Sequence, residues 1–434
     1  MAFPFIRRET PRGAGGLRAS NDEKQIRELK KSAKEILGTL SSGPVQRYIL
    51  ENENQDVRDM ILKNKALFDI PAAQLSEQIS SRRKAKEKLP LYYDTSGIIY
   101  PPTENLEQSS SQATAQFKSR MMHDLFPGLK TCADLTGGFG VDTYFFSKTV
   151  EQIHYVEPEP SLLEIARHNH KLLGAENIHY HASSAEAFLE TTALSFDFVF
   201  LDPSRRARTG KRIHALADSH PDVVAMRGNI LEKTSLVLVK ASPLLDIQAG
   251  VAALECVKHV FVISVKNECK ELLFLCARGF EGTPLIEALN MREEDSLDKF
   301  QFTFSEEHGQ KITFSDPLKY IYEPNASILK AGAFKSVATR FNLKKISPNT
   351  HLYTGTEMIE TFPGKKFEIE EFVKADPTGV KSSFPEGKAN VTTRNYPLKP
   401  EALKKKTGLK DGGEKFLIGL SGEKKKFLVV AKRL

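Results

Sequence analysis

The sequence predicts an α/β fold in which helices cover both faces of a mainly parallel sheet, preceded by a helical segment and followed by a small α+β unit. Three observations lead to this prediction. Between about residues 110 and 265, short apolar strands alternate with helical stretches, a pattern typical of parallel sheets covered on both faces. After Val265 the alternation is lost. The 434 residues exceed one ordinary core, so about two to four domains are expected.

The N-terminal part is predicted to be a flexible tail followed by a helical domain. Residues 1–20 contain Pro, Gly and Arg without periodicity, which indicates the tail. The helical domain is assigned to 21–100, with helices in its first twenty residues, at 57–66 and at 72–88. The basic run at 82–88 is interpreted either as a solvated helix end or as a phosphate-facing patch.

The central domain, predicted over 101–265, carries the strand–helix alternation. Its strands are placed at 131–135, 152–157, 178–182, 196–202, 235–241 and 259–265, and its helices at 141–148, 161–173, 185–191 and 223–231. Because parallel strands end at the same edge of a sheet, the loops after these strands are expected to line one ligand-binding edge.

The remaining segments are less regular. We assign 266–320 to a small α+β insertion and 321–361 to a helical linker, whose helix at 326–341 is capped by Asn325. The last unit, 362–434, is predicted to contain four strands and one helix. Those strands are placed at 366–372, 389–393, 416–420 and 426–431, and that helix at 400–406.

Positive charge is concentrated at the C-terminal end. Residues 381–434 hold fourteen Lys or Arg against five Asp or Glu, a net charge of +9, so that residues 1–380 are left at −2. This asymmetry favours a polyanionic partner, nucleic acid before membrane, although a solvated lysine-rich surface is the alternative. The densest basic clusters are 404–406 and 424–426.

Composition also bears on location. The longest apolar runs are far shorter than the ~20 residues of a membrane span, and the N-terminus has no apolar signal region. Four cysteines in this length do not make a disulfide framework. We therefore expect a cytoplasmic protein without a membrane association, whose oligomeric state the sequence leaves open.

A glycine-rich turn follows the first strand of the predicted sheet. Asp134 ends the strand, and the residues Leu-Thr-Gly-Gly-Phe-Gly lead to Asp142 and a helix. Glycine is needed where the backbone turns sharply or passes close to a ligand. The nicotinamide fingerprint G-x-G-x-x-G fails here, because its last position is Thr143.

Polar groups also follow the next three strands. Glu157 lies 23 positions after Asp134, where a carboxylate can accept hydrogen bonds from both hydroxyls of a ribose. Ser184 and Ala185 follow the third strand and are suited to border an adenine ring. The fourth strand leads into Asp202-Pro203-Ser204-Arg205. This order and spacing predicts a nucleoside-binding edge.

The segment 134–142 resembles the first motif of the class I S-adenosylmethionine-dependent methyltransferases. It is similar in particular to the D-x-T-x-G-x-G-x-D form found in bacterial ribosomal RNA guanine-N2 methyltransferases. The resemblance implies a Rossmann-like methyltransferase sheet with S-adenosyl-L-methionine as cofactor. The residues that it implies for cofactor binding are Asp134, Thr136, Gly137, Gly138, Gly140, Asp142, Glu157, Ser184 and Ala185.

The catalytic motif is similar to the [DN]-P-P-[YFW] sequence of enzymes that methylate exocyclic amino groups. Asp202 and Pro203 match it, whereas Ser204 replaces a proline and Arg205 replaces the aromatic residue. The D-P-x-R variant is also similar to RNA uracil-C5 methyltransferases, but these need a nucleophilic cysteine in the next strand-end loop. That loop, 240–244, has none, so we assign the catalytic site to an amino-group methyltransferase.

The C-terminal unit resembles the THUMP-like domain that ends a group of bacterial methyltransferases. In that group the segment 266–320 corresponds to a ferredoxin-like insertion, and true THUMP domains bind RNA. The resemblance implies an RNA methyltransferase acting on an exocyclic amino group of ribosomal or transfer RNA, with guanine N2 favoured. Two alternatives remain open: a non-catalytic RNA-binding protein with a degenerate methyltransferase fold, and a protein or small-molecule methyltransferase.

No metal site is predicted. The pairs His168/His170 and His179/His181 have ligand-like side chains, but no cysteine or carboxylate completes either pair by spacing. The segment 107–110, just before the sheet, is interpreted either as a helix cap or as residues that close over the cofactor.

Overall fold

A computed structural model describes residues 35–63, 65–204, 216–292 and 296–434. The chain forms two compact units, one from Met1–Asp202 with Met226–Val237 and one from Pro203–Ala225 with Leu238–Leu434. The tail predicted at 1–20 lies outside the described residues, and so does Arg205.

The first unit begins with helices, as the sequence predicts. They are α1 (Gly43–Glu51), α2 (Val57–Lys63), α3 (Ala72–Lys88), α4 (Pro90–Asp94), α5 (Thr103–Gln108) and α6 (Gln112–Leu125), with a two-residue hairpin, β1 (Ala66–Leu67) and β2 (Ile70–Pro71), before α3. The bounds predicted for α3 are confirmed. The helix predicted over 57–66 ends at Lys63, because Ala66 already pairs in the hairpin.

The basic run on α3 ties this helix to neighbouring segments. The Arg82 guanidinium donates to Oε2 of Glu53 at 3.2 Å and to the backbone oxygen of Tyr93 at 2.9 Å. Lys88 Nζ donates to the backbone oxygens of Leu106 and Glu107, both at 2.7 Å. Arg82 and Lys88 are therefore structural, and the two interpretations of the run as solvated or phosphate-facing do not apply to them.

The sheet of the first unit is parallel. It contains β3 (Thr131–Asp134), β4 (Gln152–Val156), β5 (Ile178–His181) and β6 (Phe198–Leu201), with the helices α7 (Val141–Phe146), α8 (Pro160–Leu172) and α9 (Ala185–Thr191) between them. The order is β6-β3-β4-β5. These bounds confirm the predicted α/β alternation to within two residues. The carboxyl ends of all four strands consequently lie at one edge.

A buried aromatic cluster joins the N-terminal helices to this sheet. The ring of Phe139, in the loop between β3 and α7, lies 5.3 Å from the ring centroid of Tyr92 and 6.4 Å from that of Tyr100. Tyr144 of α7 packs against Tyr92 at 6.2 Å. All four side chains are buried, so these helices share one core with the loop after β3.

Helix α10 (Val223–Lys233) and strand β7 (Leu236–Ala241) contain the points where the chain crosses between the units. The second unit continues with α11 (Ile247–Leu254), β8 (Val257–Val265), β9 (Glu268–Ala277), β10 (Leu285–Met291), β11 (Leu297–Phe302) and α12 (Phe304–Gly309). In this unit the strand order is β11-β10-β8-β9, with β8 and β10 parallel and the outer pairs antiparallel.

A seven-stranded sheet completes the second unit. Its elements are β12 (Tyr320–Pro324), α13 (Ala326–Ala331), α14 (Phe334–Arg340), β13 (Lys344–Ser347), β14 (Thr350–Gly355), β15 (Gly364–Phe372), α15 (Pro377–Lys381), β16 (Lys388–Arg394), α16 (Pro400–Thr407), β17 (Lys410–Ser421) and β18 (Lys426–Arg433). The strand order is β13-β14-β12-β15-β18-β17-β16, and β16 with β17 is its parallel pair.

The helix predicted over 326–341 is two helices. The Asn325 cap is confirmed, since its side chain accepts a hydrogen bond from the backbone nitrogen of Ile328 at 3.1 Å. Gly332 then ends α13 with a φ of +81°, a left-handed conformation that favours glycine. The segment 321–361, expected to be a helical linker, also contains β13, β14 and most of β12.

Within the described residues, none of the helices combines the length and the apolar character that crossing a membrane requires.

Candidate active site

The loop between β3 and α7, residues 135–140, is called the glycine loop below. Asp134 holds both of its ends, because Oδ1 accepts from the backbone nitrogen of Thr136 at 3.0 Å and Oδ2 accepts from Oγ1 of Thr143 at 2.6 Å. Asp134 is buried, and burial raises its pKa to about 7, with the neighbouring charge of Asp142 adding to the effect.

Two glycines of this loop are required because buried side chains lie too close to leave room for a Cβ atom. A Cβ at Gly137 would lie 2.6 Å from Cδ2 of Tyr155, and one at Gly140 would lie 2.6 Å from Nε2 of His170. Gly138 and Gly140 also have φ values of +54° and +81°. At Gly138, in contrast, a Cβ would meet only the Thr136 carbonyl oxygen, at 3.7 Å. One side of the loop is therefore packed against Tyr155 and His170, whereas the space beside Gly138 is open.

Glu157 follows β4 and is bound to the glycine loop. Its Oε2 accepts from the backbone nitrogen of Gly138 at 2.9 Å, and its Oε1 accepts from that of Glu159 at 2.8 Å. Burial raises the pKa of Glu157, which these two backbone hydrogen bonds partly offset. Each carboxylate oxygen can accept more than one hydrogen bond, so Glu157 can serve a ligand as well.

Ser184 and Ala185 lie at the start of α9, beyond the end of β5. The Ser184 hydroxyl caps the helix by accepting from the backbone nitrogen of Ala187 at 3.2 Å. Ala185 is buried. Both residues are at the carboxyl edge of the parallel sheet, as the sequence predicts.

Asp202 follows β6 at the same edge. Its backbone nitrogen donates to Oγ1 of Thr136 at 2.6 Å, which ties the end of β6 to the glycine loop. The Asp202 side chain is half-buried. Pro203 is buried, whereas Ser204 is exposed and donates from its backbone nitrogen to the His220 carbonyl oxygen at 2.8 Å. The fourth motif residue, Arg205, lies outside the described residues.

A buried polar cluster connects α6 to α7, the helix that follows the glycine loop. The Ser110 hydroxyl donates to Oδ2 of Asp142 at 2.6 Å, and Lys118 Nζ lies 3.0 Å from the Ser110 hydroxyl and 3.1 Å from Oδ1 of Asp142. The Lys118 side chain is 0% exposed. Of the segment 107–110, the structure thus brings Ser110 to the helix that follows the loop, while Glu107 is exposed.

Sequence reasoning missed Lys118 and Tyr155, and it weighed His170 only as a metal ligand. Tyr155 could have been found, because alternation on β4 places it on the same face as Glu157. Lys118 carries no such signal, since its partners lie 8 and 24 positions away along the chain.

The two histidine pairs have different surroundings in the fold: His168 and His170 contact different segments, whereas His179 and His181 both stack on His154. His168 Nε2 contacts the Gly97 carbonyl oxygen at 2.9 Å, and His170 faces the glycine loop. His181 Nε2 instead lies 2.9 Å from Nδ1 of His154 on β4. Burial lowers the pKa of His154 to about 4 and also lowers the pKa of His181, so in this contact one neutral ring donates its N–H and the other accepts.

Comparison with known proteins identifies the family. An uncharacterised S-adenosylmethionine-dependent methyltransferase of Mycobacterium tuberculosis H37Rv is 24% identical over 361 residues, which are 80% of this chain and 92% of that protein. A crystal structure from Porphyromonas gingivalis W83, named as a methyltransferase, is 32% identical with a TM-score of 0.80, and the match covers 92% of this chain and 98% of that one. The chain belongs to the S-adenosylmethionine-dependent methyltransferases. Its cofactor is S-adenosylmethionine.

The last quarter of this methyltransferase, residues 320–433, matches two family models. Residues 320–363 match a ferredoxin-like domain and residues 364–433 match a domain described as THUMP domain-like. The THUMP-like resemblance is confirmed. The ferredoxin-like domain lies after the segment 266–320 to which the sequence analysis assigned it. Strands β12 to β14 with α13 and α14 form this domain, which explains why 321–361 is not a purely helical linker.

Proposed function

We propose that this methyltransferase transfers a methyl group to an exocyclic amino group of a base in RNA, with guanine N2 favoured. The observation that carries the proposal is the position of Asp202. This carboxylate follows β6 at the carboxyl edge of the sheet, and its backbone is hydrogen-bonded to Thr136 of the glycine loop. A hydrogen-bond acceptor is thereby fixed next to the loop that is proposed to bind the cofactor.

The cofactor is proposed to bind along the carboxyl edge of the parallel sheet. The glycine loop would border the methionine portion, Glu157 the ribose hydroxyls, and Ser184 with Ala185 the adenine. Two observations support this assignment: the open space at Gly138, and a buried carboxylate at Glu157 that retains acceptor capacity. The proposed binding residues are those that the sequence indicates, Asp134, Thr136, Gly137, Gly138, Gly140, Asp142, Glu157, Ser184 and Ala185.

Bound S-adenosylmethionine supplies an activated methyl group, since its sulfonium leaves as a neutral thioether. The protein then has to orient the acceptor amine and remove its proton. Asp202 and the Pro203 carbonyl oxygen are proposed to accept the two amine hydrogens, which points the nitrogen lone pair at the methyl group. As the new N–C bond forms, the Asp202 carboxylate holds the proton that the nitrogen releases. By resemblance to the amino-methyltransferase motif, Ser204 and Arg205 are proposed to flank the base.

The cysteines support an amino-group acceptor over uracil C5. Cys132, Cys256 and Cys276 are buried, and none of the four follows a strand end at the carboxyl edge of the first unit. Burial raises the pKa of Cys132 well above its ordinary value and that of Cys269 to about 11. Neither thiol therefore has the thiolate character of a nucleophile.

The two basic clusters of the THUMP-like domain lie at opposite ends of one strand pair. Lys405, Lys406 and Lys410 form the strand-start cluster, at the end of α16 and the beginning of β17. Lys388 joins it, because Lys388 and Lys410 are paired in register. The hairpin cluster, 424–426, lies at the far end of β17. Because residues 410–420 of β17 pair with only the seven residues 388–394 of β16, the two ends of this pair are about 20 Å apart at ~3.3 Å per residue.

The predicted basic cluster 404–406 is wrong at Lys404, because this lysine is paired with acidic side chains. Its Nζ donates to Oδ1 and Oδ2 of Asp411 at 2.9 and 2.8 Å and lies 2.6 Å from Oε1 of Glu401. In the hairpin cluster, Lys425 is paired with Asp316 at 3.1 Å. The four lysines of the strand-start cluster are exposed and form no ion pair among the residues that the structure describes. We therefore propose this cluster as the phosphate-binding end.

Replacing Lys405, Lys406 and Lys410 with glutamine is expected to weaken RNA binding. A variant that makes fewer phosphate contacts releases fewer counterions when it binds RNA. The slope of log affinity against log salt should therefore flatten by about two for single-stranded RNA, at ~0.7 per phosphate. Filter binding across a salt series measures this slope. The matched control replaces all three residues of 424–426, with the same loss of charge, and should leave the slope unchanged. Equal slopes in the two variants would contradict the assignment.

The acceptor itself is tested by the modified nucleosides of a strain that lacks the protein. Ribosomal or transfer RNA from this strain should be deficient in N2-methylguanosine, and the purified enzyme with S-adenosylmethionine should restore it. Mass spectrometry of the digested RNA gives the readout. Methyl transfer that survives nuclease treatment of the substrate would instead favour a protein or small-molecule acceptor. A different methylated base would retain the RNA substrate and replace guanine N2.

A further inference from the structure

We infer that Tyr155 and His170 are positioning residues that hold the glycine loop in the shape required by the amino-acid portion of S-adenosylmethionine. The inference rests on the proposed assignment of this loop to the methionine portion. It adds residues that do not touch the cofactor and act through the loop backbone.

Tyr155 supports the loop from beneath. Its hydroxyl donates to the Gly138 carbonyl oxygen at 2.6 Å, and its ring fills the space that a Cβ at Gly137 would need. Burial, followed by the charge of Glu157, raises the pKa of Tyr155 well above 10, so the hydroxyl stays protonated and remains a donor. Because Glu157 accepts from the Gly138 nitrogen, both peptide groups of Gly138 are fixed by side chains.

His170 supports the other end of the loop. Its Nε2 lies 2.8 Å from the Gly140 carbonyl oxygen, and its Nδ1 lies 3.0 Å from the Tyr180 hydroxyl. A carbonyl can only accept, so the proton of the neutral ring is on Nε2 and the Tyr180 hydroxyl donates to Nδ1. Burial lowers the pKa of His170 to about 4, which keeps this tautomer across the neutral range.

These contacts fix the backbone conformation of the glycine loop before a ligand binds. Glycine loses more conformational freedom on ordering than any other residue, so a loop with three glycines is expensive to order on binding. Here Tyr155 and His170 order it in advance by holding two of its carbonyl oxygens on the packed side. Ligands that contact the loop benefit from this order, whereas ligands that contact only Glu157 and the start of α9 do not.

The test compares two ligands that share the adenosine and differ in the amino-acid portion. S-adenosylhomocysteine has this portion and 5′-methylthioadenosine lacks it. In the full-length protein, Tyr155→Phe should weaken S-adenosylhomocysteine binding about five- to tenfold, the range for one hydrogen bond, and change 5′-methylthioadenosine binding less than about twofold. Calorimetry with both ligands, together with a thermal melt of the unliganded variant, provides the measurement.

Tyr144→Phe is the matched control. It removes a hydroxyl from a tyrosine whose ring, like that of Tyr155, contacts His170. That hydroxyl contacts the Leu173 carbonyl oxygen at 3.4 Å rather than the loop, so both affinities should be unchanged. His170→Leu should reproduce the selective loss, and His170→Gln, which keeps a donor for Gly140, should restore most of the affinity.

Two results would overturn the inference, and they are distinguishable from each other. An equal loss for both ligands in Tyr155→Phe, or none for either, removes Tyr155 as a positioning residue while the cofactor site stands. If Glu157→Gln leaves both ligands bound as tightly as in the unmodified protein, the proposed site itself is wrong, and the inference fails with it.

Discussion

Replacing Asp202 with alanine is expected to slow single-turnover methyl transfer by at least ~100-fold, the range for removing a group that stabilises or positions the transition state. The carboxylate is the proposed acceptor of the amine hydrogens, and the variant leaves the backbone hydrogen bond from residue 202 to Thr136 in place. S-adenosylmethionine affinity should therefore change little. Rapid-quench transfer of a labelled methyl group, with saturating cofactor and RNA, measures the step.

Asp197 offers the control for this variant, because it lies just before the same strand, at the opposite edge of the sheet. Its Oδ2 accepts from the backbone nitrogens of Lys130 and Thr131 at 2.7 and 2.8 Å. Alanine at position 197 should lower stability without slowing transfer by folded enzyme. A transfer rate unaffected by the loss of Asp202 would remove this carboxylate from the mechanism and direct attention to Ser204 and Arg205.

Glu157→Gln is expected to weaken S-adenosylmethionine binding by ~1.5–3 kcal/mol, the contribution of hydrogen bonds to a charged acceptor. The amide keeps one oxygen but places an NH2 group against a backbone donor, from either Gly138 or Glu159. Two donors then face each other, and the ribose loses an acceptor. Calorimetric titration with S-adenosylmethionine gives the affinity.

The neighbouring carboxylate serves as the comparison. Glu159 is exposed and caps α8 through Ser161, so Glu159→Gln should leave the affinity within about twofold. The raised pKa of Glu157 adds a pH criterion: cofactor affinity should fall as the pH drops toward that pKa, because protonation removes the charged acceptor. Affinity that is independent of pH and of residue 157 would contradict a role in binding the ribose.

The positions of the three acidic residues at the sheet edge could be predicted from the sequence. Asp134, Glu157 and Asp202 each follow an apolar run of strand length. Parallel connectivity then requires these runs to end at one edge, so the relative placement of the carboxylates follows from topology alone. The hydrogen bond of Asp202 to Thr136 spans 66 positions and depends on strand order, which periodicity does not specify.

Other features depended on contacts that local sequence does not encode. The apolar pattern continues through Gly332 and therefore does not reveal the break there. The start of β17 was predicted six residues too late, because Gly412 and Gly413 are typical of a turn. Instead the strand passes through both glycines, next to a register shift against β16. The prediction of a basic cluster at 404–406 also included Lys404, although this lysine pairs with Asp411, seven positions later.

The packing of Phe139 against Tyr92 and Tyr100 couples the N-terminal segment to the loop that is proposed to bind the cofactor. Thermodynamic linkage is reciprocal: if the helices stabilise the glycine loop in its binding shape, an occupied loop stabilises the helices by the same free energy. The predicted domain boundary at residue 100 then does not divide the chain into two parts that are energetically independent. An N-terminal truncation of the catalytic domain at that point would lose affinity for a ligand that the removed helices never touch.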